Sequence, residues 1–175
     1  MQENLYRKIM AAVPILRPLT EAEMEEIISI SRLLKVNREA TVIREGELGN
    51  SMYIIVSGRA RILKEVRPGE QKTLATLGAG EVFGEMALID KYPRSASVVT
   101  LMDSVLYQID LDRFNELRDQ WRPAAFKILR QLAPVLCKRI RNIDKMTGDL
   151  LSSGPASGTP ETRRAVIDRL RGGEG

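Results

Sequence analysis

The 175-residue chain contains no histidine. That absence removes the commonest general base, the Ser-His and Cys-His nucleophile pairs, and most zinc and iron sites. There is a single cysteine, Cys137. One thiol excludes an intramolecular disulfide and a cysteine-based zinc site, and it fits a reducing compartment. With no histidine or second thiol to activate it, Cys137 is expected to be a small buried hydrophobe on the long C-terminal helix. Aromatic residues make up only 5% of the chain, so aliphatic side chains must build most of the core. No apolar run reaches the roughly 18 residues that a spanning helix needs. Arg7 and Lys8 interrupt the stretch where a signal peptide would lie. The expectation is a cytoplasmic protein with no membrane span and no metal, and not an enzyme.

What is present is ordinary for a globular chain: 43% apolar and 29% charged residues. The length suits one domain with appended helices. Net charge is +4, with Lys138, Arg139, Arg141, Arg163, Arg164, Arg169 and Arg171 gathered toward the C-terminus. Such a tail could meet nucleic acid, an acidic lipid surface or an acidic partner; a solvated helix face is the simpler reading.

Residues 3–13 read as a short helix with Leu5, Ile9 and Val13 on one face, ended by Pro14. A second helix starts near Thr20, where Thr20 and Glu23 have capping-box spacing. Met24, Ile27, Ile28 and Ser31 would continue its inner face. From Leu34 to Ile109 short apolar runs alternate with glycine-bearing turns: Thr41–Ile43, Met52–Val56, Ala60–Leu63, Thr73–Leu77, Ala96–Leu101 and Val105–Ile109. That pattern predicts an antiparallel roll or barrel.

After Asp110 the helical period returns. Phe114 and Leu117 mark a short helix, and Pro123 stands where the first turn of a longer one would begin. Along it Leu129, Ala133, Leu136, Ile140 and Ile143 fall at alternating four- and three-residue steps. Such a stripe either packs on the roll or forms a homodimer seam. Pro134 should kink or break this helix. Residues 152–160 read as a flexible linker and 160–171 as a small basic amphipathic helix. The resulting divisions are 1–121 for the roll with its N-terminal helices, 122–151 for the long helix as lid or dimerisation element, and 152–175 for linker and tail.

The chemistry concentrates in one stretch between strands. Gly84 lets the backbone approach a ligand. Gly84 to Leu88 can form one helical turn, whose first amides would face an anion. Nine residues beyond Glu85, Arg94 offers a planar, permanently charged fork suited to phosphate. Ser95 adds a hydroxyl, and small Ala96 lets its own amide reach the same anion. Glu85 would be repelled by a phosphate, so it needs a donor such as a sugar hydroxyl. One anionic group beside one sugar hydroxyl describes a ribose carrying a cyclic phosphate.

The run Gly84-Glu85-Met86-Ala87-Leu88, followed by Pro93-Arg94-Ser95-Ala96-Ser97-Val98, closely resembles the phosphate-binding cassette of cyclic-nucleotide-binding domains. Such domains occur in catabolite-activator proteins, protein kinase regulatory subunits and cyclic-nucleotide-gated channels. The resemblance spans roughly residues 5–145. It implies an α+β fold: an antiparallel β-roll or jelly roll (a double-stranded β-helix) flanked by N-terminal helices and a C-terminal helix pair. It also implies that Glu85 holds the ribose 2′-hydroxyl and Arg94 the cyclic phosphate. Ser95, Ala96 and the amides of Gly84 and Met86 complete the phosphate shell, with Ala87 in the same turn. Phe83, Val98, Leu74 and Leu77 are candidates for the apolar wall near sugar and base. Arg139, Arg141 and Asn142 are polar candidates to cap the base. In the family, threonine at the position of Ser95 accompanies cGMP preference and alanine accompanies cAMP; serine resembles the catabolite-activator type, which uses cAMP.

The expected function is therefore a cAMP (or cGMP) sensor that is not an enzyme. An unpaired Arg94 and a mobile long helix would be ordered by ligand, changing the helix seam or the exposure of the basic tail. The expected partners are the nucleotide, a second copy through Leu129–Ile143, and an unidentified protein. DNA is not expected, because the roughly 25 residues after the long helix are too few for a helix-turn-helix module. The rival readings are a catabolite-activator-type regulator without its DNA-binding domain, a cyclic-nucleotide enzyme, and a structural oligomer with an empty pocket.

Overall fold

The computed structural model describes residues 13–89 and 92–153. The helix expected over 3–13 lies outside them except for Val13, as do the linker and basic tail beyond Ser153. A 3-10 turn at Pro14–Leu16 leads into α1, Glu21–Ser29. The capping box forms as its spacing predicts. The Glu23 amide donates to Thr20 Oγ1 at 3.3 Å, and the Thr20 amide donates to Glu23 Oε2 at 2.7 Å. Met24 and Ile27 are buried, but Ile28 is exposed. Ser31 does not extend the helix: it opens the first strand, and its hydroxyl donates to the Ile27 carbonyl at 2.5 Å. A nine-residue helix has room for one narrow buried stripe, and the flanking Ile28 falls outside it.

Eight strands follow: β1 Ser31–Val36, β2 Thr41–Ile43, β3 Ser51–Ser57, β4 Ala60–Arg67, β5 Glu70–Leu77, β6 Val82–Phe83, β7 Ser97–Thr100 and β8 Ser104–Asp110. They form two antiparallel four-stranded sheets, ordered β1-β8-β3-β6 and β2-β7-β4-β5. This is the predicted roll. Its interior cluster takes alternate residues from both sheets: Ile43, Tyr53, Ile55, Ala60, Leu77, Phe83, Val98 and Leu106. Full burial of each large member contributes about 1.5–3 kcal/mol. Along β3 the intervening residues Met52 and Ile54 are buried as well, so that strand is covered on both faces. Two strands depart from the predicted pattern. β1 begins at Ser31, ahead of the predicted Leu34; exposed Arg32 and Lys35 interrupt the apolar run that would have marked it. β6 has only two residues, too few to display alternation.

Helix α2, Leu111–Asp119, follows β8 directly. Its N-cap Asp110 accepts the Arg113 amide at 3.0 Å, and Phe114 is fully buried. It packs against β8 and against the 3-10 turn at Glu85–Leu88. Helix α3 begins at Pro123, as predicted, and runs to Ser153. The helix runs on through Pro134 without the predicted break, and the boundary between the two compact units falls at that residue. A proline removes one backbone donor, while the good helix formers around it sustain the rest of the ladder.

The described residues divide into two compact units, with the boundary between Pro134 and Val135. In the first, the buried stripe of α3 is Ala124, Ala125, Ile128 and Leu132. The predicted seam lies elsewhere. Leu129 and Leu136 are half-buried, while Ala133 and Ile140 are exposed. Cys137 is exposed too, which corrects the expectation of a buried thiol. It falls on the part of the helix surface that the core stripe does not use. Among the described residues no helix is long and apolar enough to cross a membrane.

Candidate functional site

Antiparallel pairing of β3 with β6 sets Tyr53 opposite Phe83, so the residue after Phe83 arrives beside the start of β3. That residue is Gly84, in the left-handed region at φ +73°, and it caps the 3-10 turn Glu85–Leu88. The turn forms where the motif predicts it. A β-carbon at Gly84 would meet Arg94 Nη1 at 2.8 Å and the Ser51 carbonyl at 3.1 Å. Glycine is thus required twice here, by backbone conformation and by close approach.

Arg94 is anchored from several directions. Its Nη1 donates to the Gly84 carbonyl at 3.0 Å, and its Nη2 donates to the Ser51 carbonyl at 2.5 Å. Its backbone is tied to the β2–β3 loop: the Arg94 amide donates to Glu47 O at 2.8 Å, and the Gly46 amide donates to Arg94 O at 2.9 Å. Half-burial pushes the guanidinium pKa down, offset in part by the nearby Tyr53 and Glu85. The group stays charged throughout the physiological range. The expectation of an unpaired Arg94 is therefore corrected: two backbone carbonyls hold it. Each terminal nitrogen carries a second hydrogen, so the fork keeps donors for an anion.

The loop and the cassette are joined again one residue on. Lys64 pairs with Glu45, and its ammonium also donates to the Ser95 carbonyl at 3.0 Å. The Glu45 amide donates to Ser97 Oγ at 2.9 Å. Glu45 Oε2 accepts the Glu65 amide at 3.0 Å. That amide, then the Lys64 ammonium, holds the Glu45 carboxyl below its ordinary pKa.

The remaining predicted residues fall into three groups. Glu85 is buried at 1% exposure, close enough to Arg94 to act on its charge. Met86 is exposed, Ala87 and Ala96 are half-buried, and the exposed Ser95 lies with its hydroxyl 3.8 Å from Met86 Sδ. Gly84–Ala87 and Arg94–Ala96 thus share one end of the roll. Phe83, Val98 and Leu77 belong to the interior cluster, whereas Leu74 is exposed on β5 and does not join it. Arg139 is half-buried, and Arg141 and Asn142 are exposed, in the unit that begins at Val135. A cavity of about 380 Å³ opens elsewhere, lined by Arg32, Gln108, Asp110 and Arg113 among others, and no cassette residue borders it. Among the described residues no cluster could hold a metal ion.

Sequence reasoning missed Gly49, Ser51, Tyr53, Glu45 and Lys64. Gly49 carried a signal, since it is a second glycine three residues after Gly46. The others look like ordinary strand and loop residues until the sheets are assembled.

The cyclic nucleotide-binding domain family matches residues 33–120. The chain is 31% identical over 166 residues to the cyclic AMP receptor protein of Thermus thermophilus, covering 95% of this chain and 74% of that one. The crystal structure of the Thermus thermophilus catabolite activator protein superposes with a TM-score of 0.67 at 31% identity, over 79% of this chain and 63% of that one. The regulatory domain of Toxoplasma gondii PKA, crystallised with cAMP, superposes at a TM-score of 0.57 with 29% identity, over 65% and 43% of the two chains. Other curated relatives are spanned to only 18–49% of their length. The chain belongs to the cyclic nucleotide-binding domain family.

Proposed function

We propose that this chain is a cyclic-nucleotide sensor, with cAMP preferred to cGMP, acting as a non-enzymatic regulatory module in the cytoplasm. The observation that carries the reading is the Arg94 guanidinium. It is fixed by the carbonyls of Gly84 and Ser51 beside the buried Glu85, at the start of the Glu85–Leu88 turn. Arg94 and the first amides of the turn supply positive charge to a cyclic phosphate. Glu85 supplies an acceptor to the ribose hydroxyl. Ser95, Ala96 and the Met86 amide complete the shell, with Ala87 in the same turn. Phe83, Val98 and Leu77 line the interior; Leu74, exposed on β5, is kept as a candidate for the apolar wall and Arg139 as one for the base. The likeness to the cyclic AMP receptor protein of Thermus thermophilus and to the Toxoplasma gondii regulatory domain crystallised with cAMP supports cAMP as ligand.

Because Arg94 is already held by two carbonyls, the nucleotide recruits its remaining donors. The response passes to the 122–151 helix through contacts that differ between liganded and free states. The exposed Ala133 and Ile140 of the Leu129–Ile143 stripe support a homodimer as one output, with a protein partner as the other.

Calorimetry of the full chain with cAMP and with cGMP, alongside Arg94→Ala, tests this reading. Saturable binding that Arg94→Ala abolishes is expected. At ligand a hundredfold above Kd, a stabilisation of about 2.7 kcal/mol should accompany it. No heat and no thermal shift with either nucleotide would remove the sensor reading.

A further inference from the structure

Four residues stand in register across the whole of one sheet. Arg32 on β1 pairs with Gln108 on β8, Gln108 with Tyr53 on β3, and Tyr53 with Phe83 on β6. Their side chains are linked at every step. Arg32 Nε donates to Gln108 Oε1 at 2.6 Å, and Gln108 Nε2 donates to the Tyr53 hydroxyl at 3.3 Å. The Tyr53 ring stacks on Phe83 with centroids 5.0 Å apart and planes 13° from parallel. A second donor reaches the same hydroxyl: Ser51 Oγ at 3.0 Å. Tyr53 and Ser51 are each 8% exposed.

Both ends of Tyr53 lead to a carbonyl that holds Arg94. The hydroxyl fixes Ser51, whose carbonyl takes Nη2. The ring fixes Phe83, the residue before Gly84, whose carbonyl takes Nη1. We propose that Tyr53 is a positioning residue that sets the Arg94 guanidinium for the cyclic phosphate, acting through Ser51 on one side and Phe83 on the other. Arg32 and Gln108 brace its hydroxyl from the far strands. This rests on the reading of Arg94 as the phosphate ligand. Buried hydrogen-bonded groups of this kind hold a charged ligand at fixed geometry, and a loosened support costs affinity without removing any ligand contact.

The test uses Tyr53→Phe, which keeps the stacked ring and removes only the hydroxyl, together with Ser51→Ala and the double variant. Each single variant should weaken cAMP binding about tenfold, equivalent to 1.4 kcal/mol. The double variant should cost no more than one of them, because both remove the same hydrogen bond. Independently of ligand, the side-chain nitrogen resonances of Arg94, assigned by their loss in Arg94→Lys, should report faster rotation of the guanidinium in Tyr53→Phe. A merely structural role would lower the melting temperature but leave these resonances unchanged. Additive losses in the double variant, or Arg94 signals identical to wild type, would overturn the proposal. Should wild type bind no cyclic nucleotide while its Arg94 signals still respond to Tyr53→Phe, the positioning role stands and the sensor reading falls.

Discussion

Gly49 lies directly against the Arg94 guanidinium: a β-carbon on Gly49 would stand 1.9 Å from Nε and 2.0 Å from Cζ. Two glycines from separate loops, Gly49 and Gly84, therefore leave the space that the guanidinium fills. Gly49 is outside the left-handed region, so alanine is compatible with its backbone, and the strain falls on Arg94 instead. Gly49→Ala should lower cAMP affinity by about tenfold or more, each tenfold being 1.4 kcal/mol. Wild-type affinity for this variant, measured by calorimetry, would mean that the guanidinium is not held where the two carbonyls place it.

The Glu45 carboxyl gives a pH dependence with a defined sign. Its ordinary pKa is 4.5, and the Glu65 amide and the Lys64 ammonium lower it in the folded state. The unfolded chain therefore binds its proton first as pH falls. The stabilisation is complete above about pH 4.5 and disappears as pH drops through the depressed folded value. Thermal melts of wild type and Glu45→Gln between pH 7 and pH 3 should converge at the acid end. A gap that stays constant over that range would show that the Glu45 contacts do not respond to pH.

Removing the Thr20 hydroxyl tests the N-terminal cap. Thr20→Ala loses the acceptor for the Glu23 amide. Unfolding in urea should be about 1 kcal/mol easier. Cyclic-nucleotide affinity should not change, since no cassette residue touches α1 through this cap.

Ile140 is 58% exposed, and it lies on the stripe proposed as a homodimer seam. Placing a charge there should break a self-association seam while sparing the roll. Sedimentation of Ile140→Glu should give a monomer under conditions where wild type is a dimer. Identical sedimentation of the two proteins would place any dimer contact elsewhere.

Much of this fold was legible because its signals are local. The capping box at Thr20 and Glu23, the start of α3 at Pro123 and the core segments of most strands depend on neighbours a few residues apart, and each formed as expected. The misreadings came where local pattern was short or ambiguous. Two-residue β6 is too brief to alternate, Ile28 sits at the margin of a narrow stripe, and Cys137 lies on a helix whose core side is set by Ile128 and Leu132.

The cassette shows where each kind of information resides. Its residue types and spacing, from Gly84 through Glu85 to Arg94, follow from the order of amino acids, because a positive-φ glycine, a one-turn helix and a charged fork are properties of a short segment. The second carbonyl that grips the fork, and the network behind it, do not. Ser51 is 43 positions from Arg94 in the chain, and Tyr53 reaches Gln108 across 55. Those partners meet only because β3 pairs with β6 on one side and β8 on the other in one particular register. A shift of one residue would turn every one of those side chains to the opposite face.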